Sequence, residues 1–386
     1  MEQKTTQALF ALLRSAMSEM RLKEEEREAY SSDVIKTLLE TSLKHDLIHL
    51  VVFGLKKNEL IPKEKIEIEN YIFKAFYRYE QLKYELDNLC AALKKAEIPF
   101  IPLKGSVLRK YYPEEWMRTS CDIDVLVHEE DCEKARAILT DEYGYVDHGK
   151  HSHDVSLFSP SNIHIELHYS LLEDGIANGA SEVLKNVWST AVLRDGYDFF
   201  YEMPDEMFYF YHIAHMVKHF EDGGCGIRSF IDLWILENIE DNNEEKRNAL
   251  LEQGNLLRFA DSARALSRVW FGCAEHDELT RQMENYILRG GVYGTNENRV
   301  PVQQQKQGGR FKYAISKIFL PYDLIKFHYP ILQKHRWLTP FMEVRRWGRL
   351  IFCGHAKRTM KELKYNQSIS NDEADETKNF LSSIGL

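Results

Sequence analysis

Two aspartates separated by one residue, Asp122 and Asp124, are the side chains of this sequence best suited to metal chemistry. They belong to residues 122–128, where polar and apolar residues alternate as they do in a strand. Residues i and i+2 of a strand project from one face, so both carboxylates point the same way. Carboxylates this close repel unless a cation lies between them, and hard oxygen ligands suit Mg²⁺ or Mn²⁺. We therefore predict a metal site here, and expect removal of either carboxylate to relieve repulsion in the metal-free protein.

A third carboxylate, Glu166, lies between Ile165 and Leu167 in the short apolar segment 163–168. This segment reads as a second strand, which can present Glu166 on the same face as the aspartates. Three carboxylates across a strand pair suit a two-metal site for in-line phosphoryl or nucleotidyl transfer. We predict Asp122, Asp124 and Glu166 as metal ligands and catalytic residues.

A candidate phosphate-binding turn precedes these residues. Gly105 and Ser106 follow a short apolar segment and precede a helical one, so backbone N–H groups and a hydroxyl would lie at a helix N-terminus, where phosphates bind. Lys104 and Arg118 can neutralise the charge of a triphosphate. We predict these four residues as the nucleotide-binding group.

Histidines flank Glu166, and His164-x-Glu166-x-His168 on one strand face is also compatible with zinc. The magnesium interpretation ranks higher because the Asp-x-Asp pair supplies hard oxygen ligands. His168 is expected to orient Glu166 or to contact phosphate. The alternative is a structural histidine held by hydrogen bonds.

The succession Gly-Ser, Asp-x-Asp and hydrophobic-Glu-hydrophobic resembles that of the DNA polymerase β-like nucleotidyltransferases. More closely, the chain looks like a member of the uncharacterised bacterial nucleotidyltransferase family over about residues 90–350. The matching positions are Leu103-Lys104-Gly105, Tyr112-Pro113, Arg118, Asp122-Ile123-Asp124-Val125-Leu126-Val127, Gly144-Tyr145, Glu166-Leu167-His168, His215-x-x-Lys218-His219, Gly223-Gly224, Gly226, Arg228 and Asp232. The fifteen residues between Ser106 and Asp122 exceed the usual spacing.

The resemblance implies a Mg²⁺-dependent enzyme that transfers NMP from an NTP, with ATP expected, and releases pyrophosphate. The acceptor stays open among a small molecule, a sugar hydroxyl and a protein side chain. The alternative is a non-catalytic module that keeps the fold and binds a nucleotide or a partner. Lys218, His219 and Arg228 would be secondary residues of the nucleotide or acceptor pocket. Arg228 and Asp232 are also spaced to pair with each other on one helix.

Composition narrows the class of protein. The 386 residues carry a net charge of −10, which argues against general nucleic-acid binding. Residues 306–364 hold 14 Lys or Arg against three acidic residues, so this segment suits an anionic partner, internal docking or a solvated face. Apolar runs are too short to span a membrane, no signal-peptide pattern is present and the six cysteines are scattered. We expect a cytoplasmic location.

The chain is expected to be α+β, with a small mixed β-sheet nucleotidyltransferase core flanked by N-terminal and C-terminal helical regions. Aromatic residues at helical spacing in residues 63–95 are expected to face the core. The expected regions are N-terminal helices (1–96), the nucleotidyltransferase core (97–175), a helical substrate-pocket domain (176–289), a loop (290–310), a basic helical region (311–365) and a polar tail (366–386).

Overall fold

The computed structural model describes residues 3–61, 67–172, 179–240, 242–272, 274–292, 294–352, 356–369 and 371–386. In this part of the chain a five-stranded mixed sheet is accompanied by many helices, which confirms the predicted α+β class. The strands of this sheet are β1 (Phe100–Pro102), β2 (Asp122–Val127), β3 (Val146–Lys150), β4 (Asp154–Phe158) and β5 (His164–His168).

The strand order across the sheet is β1-β2-β5-β4-β3. β2 runs parallel to β5, and the other neighbouring pairs are antiparallel. β1 lies at an edge, where its proline is tolerated, and β4 and β5 form an antiparallel hairpin. The outer strand β3 was not predicted. Most of its residues are exposed, so it carries no alternation of apolar and polar side chains.

The two faces of the sheet differ in chemistry. One face packs against two helices, α5 (Asn70–Lys95) and α7 (Glu129–Asp141), and alternate residues of β2 and β5 form its core. The intervening residues of both strands point to the other face, which is where the acidic residues lie. Core residues shared by these elements include Leu89, Ala92, Leu93, Ile123, Val125, Cys132, Ala135, Leu139, Ile165 and Leu167.

Five α-helices of the described residues precede the sheet. The side chain of Ser31 accepts a hydrogen bond from the Val34 backbone, so Ser31 caps the third helix. Besides α5, these helices are α1 (Gln3–Ala16), α2 (Glu24–Arg27), α3 (Ser32–Lys44) and α4 (Ile48–Lys57).

The aromatic residues of α5 were predicted to face the core, and for most of them this prediction is wrong. Phe73, Phe76, Tyr77 and Tyr84 are exposed, with Phe73 at 69%. The buried residues of α5 are Ala75, Leu82, Leu89, Ala92 and Leu93 together with Glu85, and none of them is aromatic. The predicted start of this helix at residue 63 lies outside the described residues.

Short helical elements lie between β1 and β2, and further short elements and then longer helices follow β5. The expected boundary at residue 175 lies outside the described residues. Before β2 come α6 (Gly105–Leu108) and 3-10 turns at Arg109–Tyr111 and Glu115–Met117. After β5 come α8 (Ala180–Leu184), α9 (Val187–Thr190), the hairpin of β6 (Val192–Leu193) and β7 (Tyr201–Glu202), α10 (Asp205–Glu221), α11 (Ile227–Glu237), α12 (Glu244–Gln253), α13 (Leu257–Phe271) and α14 (Glu278–Gly290).

The chain divides into two compact units. The first comprises Met1–Lys218 and Gly226–Glu284, and the second comprises His219–Cys225 and Asn285–Leu386. The later helices are α15 (Asn296–Gln307), α16 (Arg310–Ile318), α17 (Tyr322–His328), α18 (Ile331–Lys334), a 3-10 turn at Arg336–Leu338, α19 (Thr339–Phe352), α20 (Ala356–Ser368) and α21 (Asn371–Ser383).

Residues 290–310 are not a loop throughout, as the sequence suggested, because α15 occupies most of them. The Thr295 side chain caps this helix by accepting a hydrogen bond from the Asn298 backbone. Val300 then packs with Tyr313 and Ile369 in a small core. Capping and packing offset the poor helix propensity of this segment.

The polar tail expected for 366–386 is also helical. Asn371–Ser383 forms α21, and Phe380, Leu381 and Ile384 are buried. These three buried apolar residues near its end stabilise a segment whose sequence is otherwise polar. Among the described residues, no helix is both long and apolar enough to cross a membrane.

Candidate functional site

The parallel pairing of β2 with β5 assembles an acidic site on the sheet. Asp124 lies opposite Glu166, and Asp122 lies opposite His164. Ligand atoms of Asp122, His164 and Glu166 lie within 4.8 Å of one another, and so do those of Asp124, Glu166 and His168. The structure therefore brings together the three carboxylates predicted from the sequence.

Asp124 is the most buried of the three carboxylates, at 3% exposure. Lys104 Nζ donates to its Oδ1 at 2.7 Å, and His168 Nε2 donates to the same oxygen at 2.9 Å. Burial would raise the pKa of Asp124, but the Lys104 ammonium and His168 hold it well below its ordinary value. Asp124 is therefore ionised at neutral pH.

Asp122 has the opposite electrostatics. Burial, and then the charge of Asp124, raise the pKa of Asp122, while Lys104 acts against this shift. The two aspartates thus repel each other, as their spacing predicted. A cation held between them would relieve that repulsion.

Histidines lie on both sides of Glu166. His168 Nε2 is 3.2 Å from Glu166 Oε2, and His164 Nδ1 is 4.0 Å from Oε1. His164 is held in turn by Ser156, with 2.8 Å between Nε2 and Oγ. Burial lowers the pKa of His168, but its hydrogen bonds to Asp124 and Glu166 outweigh burial and raise it. The two rings restrict the position of the Glu166 carboxylate.

The backbone turn at Lys104 directs its ammonium toward Asp124. Lys104 has φ +44° and ψ −118°, a conformation that L residues rarely adopt. The preceding Leu103 N–H donates to the Asp124 carbonyl and ties the turn to β2. Strain of this kind persists only where surrounding contacts enforce it, and it is concentrated at functional sites.

Gly105 and Ser106 begin α6, which has only four residues. So short a helix has a weak dipole, which reduces the support for a phosphate site at its N-terminus. Ser106 also lines the cavity described next, whereas the three carboxylates do not. The structure therefore does not bring Ser106 together with the acidic site.

A cavity of about 980 Å³ lies beside the edge strand β1. Phe100 and Pro102 line it, and they pair with Val127 and Val125, which belong to the core-facing side of β2. Opposite residues of an antiparallel pair share a face. The cavity is therefore on the side of the sheet away from the carboxylates.

Arg118 is a buried structural residue. Its Nε donates to Asp232 Oδ1 at 2.8 Å, its Nη2 donates to Oδ2 at 2.9 Å, and its Nη1 donates to the Thr119 carbonyl at 2.6 Å. Tyr112 donates to the same Asp232 carboxylate at 2.6 Å. With its guanidinium engaged in this way, Arg118 has little capacity to contact a triphosphate directly.

The segment that leads into β2 is held by further arginines. Arg109 Nη2 donates to Ser120 Oγ at 2.6 Å, and Arg78 donates to the Ser120 and Cys121 carbonyls. Ser120 Oγ donates to the Asp122 carbonyl at 2.9 Å. These contacts position the first aspartate, and no local sequence pattern indicated them.

Arg228 belongs to this support as well. Its Nη1 donates to Asp46 at 2.6 Å and to the Thr119 carbonyl at 3.1 Å. The expected pairing of Arg228 with Asp232 within α11 is therefore wrong. Asp232 is buried against Arg118 instead, because a bidentate pair with a buried guanidinium outweighs a helix-surface pair.

Helix α10 contributes residues that the acidic motif did not reveal. Tyr211 is 1% exposed and lies within electrostatic range of Lys104, Asp124 and Glu166. Helical spacing places His215 and Lys218 on the same side of α10 as Tyr211. His219 belongs to the second unit. The apolar surroundings of Tyr211 in the sequence gave no signal of its place at the site.

The donor set fits a hard divalent cation. Three carboxylates converge with two imidazoles, and the repulsion between the two aspartates favours a bound positive charge. Zinc stays compatible with the mixed nitrogen and oxygen donors.

Comparison with known proteins gives one family. A family model described as an uncharacterised nucleotidyltransferase matches residues 31–272, well over half of the chain. No curated protein and no solved structure matches the chain. The matched segment contains β2, β5 and all three carboxylates.

Proposed function

Because the chain belongs to the uncharacterised nucleotidyltransferase family, we propose that it transfers NMP from an NTP to an acceptor and releases pyrophosphate. The observation that carries this proposal is the convergence of Asp122, Asp124 and Glu166 on one face of the β2–β5 pair. ATP is the proposed nucleotide. The proposed acceptor is a hydroxyl of a small molecule or sugar, or a protein side chain.

The three carboxylates are assigned to Mg²⁺ or Mn²⁺. Bound there, such a cation would neutralise charge on the triphosphate and on the leaving pyrophosphate. Asp124 is ionised and fixed by two hydrogen bonds, so it offers a preorganised oxygen. Asp122 is repelled by Asp124 in the metal-free protein, so it gains most from a bound cation.

In the proposed step, an acceptor oxygen forms a bond to the α-phosphorus of the NTP. The bond from that phosphorus to the oxygen bridging the β-phosphate breaks, and pyrophosphate leaves. The acceptor hydroxyl loses its proton, and Glu166 is the group we assign to receive it. Glu166 suits this role because it is half-buried and held between His164 and His168.

The remaining residues are assigned by their contacts. Lys104 is proposed to contact the triphosphate and Gly105 to donate from the same turn, whereas Ser106, which lines the cavity on the other side of the sheet, is not assigned to it. His168 is a positioning residue for Glu166. Arg118 and Arg228 are positioning residues for the segment before β2, and Lys218 is proposed to border the nucleotide or acceptor pocket.

The activity is tested by incubating the protein with each of the four NTPs, Mg²⁺ and a cell extract, followed by mass spectrometry of the products. The expected result is an acceptor that gains the mass of one nucleotide, together with pyrophosphate. Thermal shift with each NTP, with Mg²⁺, Mn²⁺, Zn²⁺ or no metal, separates the alternative. Stabilisation by an NTP without metal, and no product in any extract, would favour a non-catalytic binding module.

A further inference from the structure

The buried hydroxyl of Tyr211 has no hydrogen-bond partner among the described residues. The neighbouring buried tyrosine of α10 differs in this respect, because the Tyr209 hydroxyl accepts from Arg264 Nε at 2.8 Å. Tyr112 also has a partner, the carboxylate of Asp232. Tyr211 therefore differs from both of these buried tyrosines.

An unpaired buried hydroxyl is costly. A polar group taken out of water without a partner loses the free energy of its hydration, and a phenylalanine would fill the same space without that loss. Such a group is expected where a ligand supplies the missing partner. The orphaned hydroxyl is thus an observation that points to a ligand, independently of the carboxylates.

The position of Tyr211 indicates what kind of ligand. Its hydroxyl lies within electrostatic range of Lys104, Asp122, Asp124 and Glu166, where a metal ion and phosphates would bring oxygen atoms. Burial raises the pKa of Tyr211, and the carboxylates add to this shift against the opposing effect of Lys104. The hydroxyl therefore keeps its proton and acts as a donor.

We propose that Tyr211 is a ligand-binding residue of the acidic site, whose hydroxyl donates a hydrogen bond to an oxygen brought in by the metal–nucleotide complex. The geometry that carries this is a buried hydroxyl on α10 that has no partner among the described residues and lies within electrostatic range of the carboxylates of β2 and β5. The inference rests on the proposed function. The acceptor oxygen belongs either to a metal-bound water or to a phosphate.

The test compares Tyr211→Phe with the matched variant Tyr209→Phe, each of which removes one buried hydroxyl from α10. The melting temperature of the ligand-free protein is measured first. Calorimetry then gives affinities for Mg²⁺ alone, for Mg²⁺ with pyrophosphate, and for Mg²⁺ with an α,β-methylene ATP analogue. Among the described residues the Tyr209 hydroxyl has a hydrogen-bond partner and the Tyr211 hydroxyl has none. The two variants should therefore have opposite effects on stability and on affinity.

Tyr211→Phe is expected to keep or raise the melting temperature and to weaken binding about tenfold, the effect of one lost hydrogen bond. Tyr209→Phe is expected to lower the melting temperature and to leave affinity within about twofold. Weakening already with Mg²⁺ alone would assign the oxygen to a metal-bound water. Weakening only with the phosphate compounds would assign it to a phosphate.

Two results would overturn the inference. One is unchanged affinity of Tyr211→Phe for every probe that the wild type binds. The other is a Tyr211→Phe protein that melts earlier than wild type or fails to fold, since the hydroxyl would then have a structural partner. A wild-type protein that binds none of the probes would instead overturn the proposed function, so the two failures are distinguishable.

Discussion

The Lys104 ammonium lies 2.7 Å from Oδ1 of Asp124, the most buried of the three site carboxylates. The same oxygen accepts from His168, so it has little remaining capacity for a third partner. A metal ion that binds this oxygen must therefore compete with Lys104. Metal binding is therefore expected to displace the Lys104 ammonium toward the triphosphate of the bound nucleotide.

Replacing Lys104 with methionine separates its effect on metal binding from its effect on nucleotide binding. Lys104→Met removes the competing charge, so we expect Mg²⁺ alone to bind several-fold more tightly. Binding of Mg²⁺–ATP should weaken about tenfold if the ammonium moves to the triphosphate, as a hydrogen bond to a charged group would imply. Calorimetry with both ligands measures this, and parallel changes for both would contradict the exchange. Exposed Lys185, which pairs with Glu182, supplies the control Lys185→Met.

The two aspartates should respond differently to neutralisation, although the sequence alone suggested that removing either one relieves repulsion. Asp122→Asn should keep or raise the stability of the metal-free protein, because Asp124 repels Asp122. Asp124→Asn should lower the free energy of unfolding by about 2–3 kcal/mol, because it leaves Lys104 and His168 without their anion. Urea unfolding without metal checks this, and both variants should lose metal-dependent nucleotide binding. Equal stability of the two variants would contradict the electrostatic assignment.

Glu166→Gln tests chemistry apart from binding. The substitution keeps size and removes charge, so Mg²⁺–NTP affinity should stay within a few-fold while the transfer rate falls about 10²-fold. Single-turnover kinetics with an identified acceptor measures the rate. The exposed Glu182→Gln is the matched control and should leave both quantities unchanged. Near-normal transfer by Glu166→Gln would rule out its assigned role.

Arg118→Lys tests whether that residue positions the site. Lysine cannot reproduce the bidentate pair with buried Asp232, so the free energy of unfolding should fall by about 2–4 kcal/mol. Asp232→Asn should cost a similar amount, and the double variant should cost less than the sum. A stable Arg118→Lys protein with strongly weakened ATP binding would instead return Arg118 to the triphosphate. Arg136→Lys at the more exposed pair with Asp147 is the control.

The pH dependence of stability should report on His49. Burial lowers the pKa of His49 to about 4, partly offset by its hydrogen bond to the Met117 carbonyl. The unfolded chain binds a proton near pH 6.5, so it takes up more protons than the folded protein between about pH 4 and 6.5. Stability is therefore lost as pH falls through this window, by about 3 kcal/mol from this group. His49→Gln should flatten the loss in urea titrations at pH 5 and 7.5, whereas exposed His151→Gln should not.

The strand period was sufficient to predict the convergence of Asp122, Asp124 and Glu166, because alternation fixes which side chains share a face. The sequence could not reveal the Arg118–Asp232 pair, since its members are 114 positions apart and neither carries a local pattern. Tyr211 was missed because no local pattern in the sequence connects it with the acidic residues. The aromatic residues of α5 were misassigned because helical periodicity identifies a stripe without telling which stripe is covered.

The dependence of β2 on distant residues has a consequence for synthesis. Arg118 precedes the acidic strand and its guanidinium is paired with Asp232, so the support of the site spans much of the first unit. A nascent chain that has emerged only as far as β5 would carry all three carboxylates but leave Arg118 without its anion. We therefore expect β2 to reach its native position late, after α11 has left the ribosome. A chain truncated before residue 232 is expected to be prone to aggregation and degradation.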